Sequence, residues 1–214
     1  MESGLESLMR RMVSVMCGTL SRMEDVINKI EQTEVEGYHI DVIDSDVDSS
    51  GNICNQLYRQ ICSAHKKIKE IHLLVSDSEH CVPSVCALSP DIVYVHSKEK
   101  RVIPILRRLR ASGIEAGVFF ESDVPIDVGH VKSLLKETSR LQVLTVPQKT
   151  IGSPWLEHAA SNIHQLVKLK EDIDFEIEID GGCSQNVIAH YQAKGVNAFV
   201  LGTKSGFFDE FVVK

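Results

Sequence analysis

The stretch Tyr38-His39-Ile40-Asp41-Val42-Ile43 is a short apolar run rich in Val and Ile and reads as a β-strand. Seven further runs of the same kind lie at Met12–Met16, Glu70–Val75, Ile92–Val95, Ala116–Phe119, Leu141–Val146, Glu176–Asp180 and Phe199–Gly202. Between them, apolar residues at helical spacing predict helices at Ser21–Gln32, Ile53–Lys66, Lys98–Ala111, Val128–Glu137, Trp155–Leu169 and Gln185–Lys194, with Gly113 and Gly195 placed as stops. A further helix near Val82–Leu88 is weakened by Pro83 at its start. Eight strands alternating with helices predict an α/β protein, a single (β/α)8 TIM barrel forming one domain over residues 1–214. Only about a dozen residues follow the eighth strand, so the closing helix is expected to be short or missing. An open doubly wound sheet is the alternative, but Cys17-Gly18-Thr19 after the first strand is not its glycine-rich phosphate turn.

Composition narrows the function classes. At 214 residues, 43% hydrophobic and 25% charged, the chain is an ordinary globular protein with enough length for a substantial core. A net charge of −7 argues against a nucleic-acid partner, and no apolar run reaches the roughly 18 residues of a membrane span. The six cysteines show no CxxC pair or zinc-finger spacing and read as reduced thiols, which predicts a cytoplasmic protein. No low-complexity segment or linker marks a domain boundary.

A parallel barrel collects its chemistry at the C-terminal ends of its strands. His39 and Asp41 alternate along one strand and so point to the same side of the sheet. His72 is an imidazole inside the apolar run Ile71-His72-Leu73-Leu74-Val75, and Asp180 ends a strand before the turn Gly181-Gly182. Two histidines and two carboxylates from three strand ends suit a first shell for Zn, Fe, Mn or Co. Singly, each has a plain structural reading: a strand histidine is usually a satisfied core residue, and a strand-end aspartate often caps the next helix. Spacing alone therefore leaves both a metal site and an accidental cluster open.

Several motifs in order resemble the ribulose-phosphate 3-epimerase family: Ser14-Val15-Met16-Cys17, His39-Ile40-Asp41-Val42-Ile43-Asp44, His72-Leu73-Leu74-Val75, Glu178-Ile179-Asp180-Gly181-Gly182 and Gly202-Thr203. Met16-Cys17, Gly181-Gly182-Cys183-Ser184-Gln185 and Leu201-Gly202-Thr203 are similar to the allulose-6-phosphate branch. The resemblance implies that His39, Asp41, His72 and Asp180 ligate one divalent cation, zinc ahead of iron, manganese or cobalt. It implies that Asp41 and Asp180 are the catalytic acid and base in the 3-epimerisation of a phosphorylated ketose. Substrate contacts are then expected from Ser14, His72, Gly152, Gly181, Gly182, Gly202 and Thr203, with His96 structural or supporting. Relatives form dimers or hexamers, so a homo-oligomer stays open.

The chain also departs from the family. Methionines typical of the metal site stand here as Ile43, Leu74 and Leu144, which predicts an apolar floor with less polarisable sulfur. Pro147-Gln148-Lys149-Thr150-Ile151-Gly152-Ser153-Pro154 replaces the glycine-rich loop, with only Gly152 matching, and Asp44-Ser45-Asp46 replaces Asp-Gly-His. Phosphate is then expected on the turns at Gly181-Gly182 and Gly202-Thr203, where short helices should begin; Lys149 and Lys204 are candidates for added charge, although a solvated surface position is the plainer reading of both. A barrel that has lost turnover and binds or regulates is the competing reading. A decarboxylase or aldolase would be expected to show a strand-end lysine, and none is obvious.

Overall fold

The computed structural model describes residues 9–17, 22–64, 66–148, 150, 153 and 155–209. Eight parallel strands, β1 (Arg10–Ser14), β2 (Gly37–Ile43), β3 (Ile68–Leu74), β4 (Ile92–His96), β5 (Glu115–Phe120), β6 (Arg140–Leu144), β7 (Glu176–Asp180) and β8 (Ala198–Leu201), close into a barrel in chain order. The closure is β1 on β8, with Met12 opposite Val200. Among the described residues seven helices cover the outside: α1 (Met23–Gln32), α2 (Gln56–Ala64), α3 (Ser78–Leu88), α4 (Val102–Ala111), α5 (Val128–Leu134), α6 (Glu157–Leu169) and α7 (Gln185–Gln192).

The strands read as near-continuous apolar runs because both of their faces are buried. Tyr38, Ile40 and Val42 of β2 belong to the large core under the helices, while the alternate residues His39 and Asp41 turn inward. Helices answer with one apolar stripe each. In α4, Val102, Ile105, Leu106 and Leu109 are buried at spacings of three and four, the pattern that covers a sheet with a single helical face. Inside the barrel a smaller cluster joins Leu74, Ile92, Tyr94 and Phe119. Gly117 makes room for it, since a Cβ there would lie 2.4 Å from the Tyr94 ring.

The weak third helix is corrected. It is 11 residues long, and Pro83 sits inside it rather than at its start. Asp77 caps its first turn by accepting from the His80 amide at 3.1 Å, so the start is fixed five residues before the proline. Buried Cys81, Val82 and Val85 then hold the helix across the missing N–H. No eighth helix occurs among the described residues: Gly202 begins a turn closed by Ser205, whose Oγ donates to the Gly202 carbonyl at 2.7 Å.

Candidate active site

Strand register brings the four candidate ligands together. Asp41 on β2 pairs with His72 on β3, and Asp180 reaches the same point from β7. His39 Nε2 lies 3.2 Å from Asp41 Oδ1 and 3.5 Å from Asp180 Oδ2. His72 Nδ1 lies 3.2 Å from Asp41 Oδ1 and 3.1 Å from Asp180 Oδ2. Ligand atoms held tetrahedrally at about 2.1 Å from one ion stand about 3.4 Å apart, so this spacing fits a divalent cation. Both ring nitrogens of buried His72 lack a hydrogen-bond partner, which leaves a lone pair to give. Two neutral imidazoles and two carboxylates also carry a charge of −2, the complement of such an ion.

The same four groups shift one another's proton affinity. Burial pushes both imidazoles down, but Asp41 and Asp180 outweigh it and hold His72 above, and His39 well above, the usual range. The same contacts run the other way for the acids. Burial would raise Asp41, yet His39 and His72 bring it well below the ordinary carboxylate value, and Asp180 is lowered likewise. Asp180 does not cap α7. Ser184 does, accepting from the Val187 amide, so the carboxylate is left for the cluster.

Asp41 and Asp180 line the floor of a cleft at the C-terminal mouth, while His39 and His72 are fully buried beneath it, so His72 does not line the cleft as a substrate contact. Ser14, Gly181, Gly182, Gly202, Thr203 and Lys204 line it, and the Ser14 hydroxyl donates to Asp41 Oδ2 at 3.4 Å. Ile43, Leu74 and Leu144 line it too, as an apolar floor. Those three positions carry no sulfur, as expected, but Met16 and Cys17, carried past β1 on a 3-10 turn, put a thioether and a thiol into the same cleft. Burial pushes the Cys17 thiol up, so it stays protonated at neutral pH. Gly181, at φ +105, is required twice over, since a Cβ would strain the backbone and meet Val146 at 2.6 Å.

Other expectations fare differently. A short helix begins at Gln185, after Gly182, whereas Gly202-Thr203 leads into a turn rather than a helix among the described residues that directly follow it. Gly152 and Lys149 lie outside the described residues, as does Ser21. His96 is outside the cluster: it sits 3.5 Å from Glu121, accepts from the Lys98 amide and packs against Phe119. Glu121 in turn accepts from Gln148 at 2.7 Å, tying the segment after β6 to β4 and β5.

Three residues not singled out as site residues from the sequence support the site. Tyr58 of α2 donates to the Asp41 carbonyl at 3.0 Å, steadying the end of β2. Glu70 and Glu178 stand two residues before His72 and Asp180, on the same inward face, and are fully buried. Burial, and then the charge of Glu70, pushes the Glu178 carboxyl up to about 8. His39, Glu70 and Glu178 come within 4.8 Å of one another, but the 2.6 Å between His39 Nδ1 and Glu70 Oε1 is a hydrogen bond with no room for an ion. Their signal in the sequence was the alternation itself, which puts every second residue of β3 and β7 inside.

A closed (β/α)8 barrel with two histidines and two aspartates gathered at its mouth, a group that could hold a cation, defines a class of barrel suited to metal-assisted chemistry on a small polar substrate. The chain belongs to the ribulose-phosphate 3 epimerase family, whose pattern it matches over residues 12–207, and so to a family of carbohydrate isomerases. It is 24% identical to a ribulose-phosphate 3-epimerase of Synechocystis sp. over 196 residues, 89% of this chain and 84% of that one. It is 21% identical to a chloroplastic ribulose-5-phosphate-3-epimerase of Arabidopsis thaliana, over 89% of this chain and 69% of that one. Among solved structures it resembles KGPDC from Streptococcus mutans, with a TM-score of 0.60 and 16% identity over 91% of this chain and 88% of that one. A tryptophan synthase α-subunit mutant from Pyrococcus furiosus gives 0.63 at 8% identity over 92% and 87%. At those identities the likeness is one of fold.

Proposed function

We propose that this protein epimerises a phosphorylated ketose at C3, ribulose 5-phosphate with xylulose 5-phosphate or allulose 6-phosphate with fructose 6-phosphate. The observation that carries the reading is the pair Asp41 and Asp180, brought within reach of each other from β2 and β7 at the floor of an apolar cleft. Each turns one oxygen, Asp41 Oδ1 and Asp180 Oδ2, toward the two imidazoles, leaving its second oxygen for proton work. One aspartate, as carboxylate, removes the C3 proton; the electron pair moves into the C2 carbonyl to give an enediolate; the other, as carboxylic acid, returns a proton to the opposite face. A divalent cation bound by His39, Asp41, His72 and Asp180 would polarise that carbonyl and offset the charge that develops on it. Ile43, Leu74 and Leu144 exclude water from the floor, which strengthens every electrostatic contact made there. Ser14 orients Asp41, and the turns at Gly181-Gly182 and Gly202-Thr203, with Lys204, receive the phosphate. Six free thiols suit a reducing compartment, and we assign the cytoplasm.

Zinc-, manganese-, iron- and cobalt-loaded protein should be assayed on both ketose phosphates, with release or uptake of solvent deuterium at C3 as readout. Exchange with one substrate is the expected result. The altered segment after β6 favours a second reading, a barrel that binds without turnover. Calorimetric binding of a ketose phosphate with no C3 exchange under any of the four metals would establish that reading instead. Equal affinity for phosphorylated and free ketose would remove the phosphate assignment.

A further inference from the structure

We infer that Glu70 is a positioning residue for the cation site, holding His39 in the one tautomer whose Nε2 lone pair faces Asp41 and Asp180. The inference rests on the reading of the four-residue cluster as a metal site. Glu70 and His39 are register partners on β3 and β2, both fully buried, with Glu70 Oε1 2.6 Å from His39 Nδ1. A carboxylate oxygen can only accept, so the ring proton sits on Nδ1. In the neutral ring Nε2 is then the nitrogen left to meet a cation; without one it lies within hydrogen-bond reach of Asp41 Oδ1, at 3.2 Å, and 3.5 Å from Asp180 Oδ2. With the proton on Nε2 instead, the ring would donate to those carboxylates and occupy the place of the ion.

Glu70 is placed for this task rather than for holding the barrel together. Arg10 pairs with Glu176 and Glu178, and Arg140 with Glu176 and Glu115. Glu70 takes part in none of these ion pairs, and its second oxygen has no hydrogen-bond partner. Burying a carboxylate is costly unless something returns the loss, and here its hydrogen bond goes to one imidazole. His72 shows the contrast. No hydrogen bond fixes its ring; the edge of Phe119, 4.3 Å away between centroids, holds it by packing. One ligand is thus oriented by charge and the other by shape.

The test is cation affinity, measured by chelator competition with Zn(II) and Co(II) on wild type, Glu70→Gln and Gln142→Leu. Gln142→Leu perturbs the same buried layer through Glu178 without touching His39. We expect about 10- to 100-fold weaker binding for Glu70→Gln and wild-type binding for Gln142→Leu. Nitrogen-15 NMR of the wild-type imidazoles should show His39 protonated at Nδ1, with and without zinc. Wild-type affinity in a folded Glu70→Gln protein, or an Nε2-protonated His39 in the zinc-loaded protein, would overturn the inference. If Glu70→Gln does not fold, the tautomer in the wild-type chain decides the matter alone. Failure of the wild-type chain to bind any cation is a separate outcome, which removes the site reading and this inference with it.

Discussion

The two ends of the barrel interior carry the same kinds of side chain and differ in how their charge is matched. Toward the N-terminal end, Arg10 lies 2.8 Å from Glu176 and 3.4 Å from Glu178, and Arg140 pairs with both Glu176 and Glu115. Toward the C-terminal end, Asp41 and Asp180 face two imidazoles, and no arginine or lysine among the described residues forms an ion pair with them. Acids already answered by guanidinium groups have little left to offer a ligand. Acids answered only by groups that can release their protons do. The comparison assigns stability to one end and chemistry to the other, in keeping with how parallel barrels divide those tasks.

The largest expected effect separates the ends outright. Asp180→Asn should fold and still lose about 1000-fold or more of C3 proton exchange at saturating cation, because an amide cannot accept the proton. Undiminished deuterium incorporation would strike Asp180 from the chemistry. At the other end, Arg10→Met should leave cation affinity intact but lower unfolding free energy by about 2 kcal/mol, since it leaves the buried carboxyl of Glu178 without its Arg10 donor. A denaturant titration reads this, and a variant of full stability with weakened metal binding would reverse the division proposed here.

His72→Ala removes a ligand nitrogen that no neighbour replaces, so cation occupancy should fall about 100-fold, as read by metal analysis after dialysis. Full occupancy would break the four-ligand assignment. The smallest effect concerns pH. Because His39 and His72 hold protons more tightly than free imidazole, a cation must displace them, and its apparent affinity should rise as pH rises through the raised values. The gain should be about tenfold per pH unit for each proton displaced. The linkage also runs through folding: stability from these raised groups is present at low pH and lost as pH climbs through their folded values, so the metal-free protein should weaken while the loaded one does not. Cation affinity that stays flat from slightly acid to slightly alkaline pH would show that the imidazoles carry no proton for the ion to displace.

Much of this was legible before folding was considered. All eight strands were located, β7 to the residue and the rest within about two residues, because strands buried on both faces must be apolar runs bounded by turns. Helix α3 is hard to read from the sequence because a proline weighs heavily in any local pattern, whereas the Asp77 cap and the buried face of the helix outweigh it in the fold. Met16 and Cys17 escaped notice as cleft residues because nothing local says that the chain leaves β1 on a turn folded over the mouth.

The sequence by itself determined the alternation of strand and helix, the inward parity of His39, Asp41, His72 and Asp180, and the family to which their motifs belong. Only the tertiary structure decided that these side chains meet at 3.1–3.5 Å, that Glu70 reaches His39 from the neighbouring strand, and that Arg10 and Arg140 neutralise the acids beneath. The reason is physical: periodicity along one strand fixes which way a side chain points, while the distance between strands far apart in the chain is set by barrel closure, through hydrogen-bond register that no local pattern encodes.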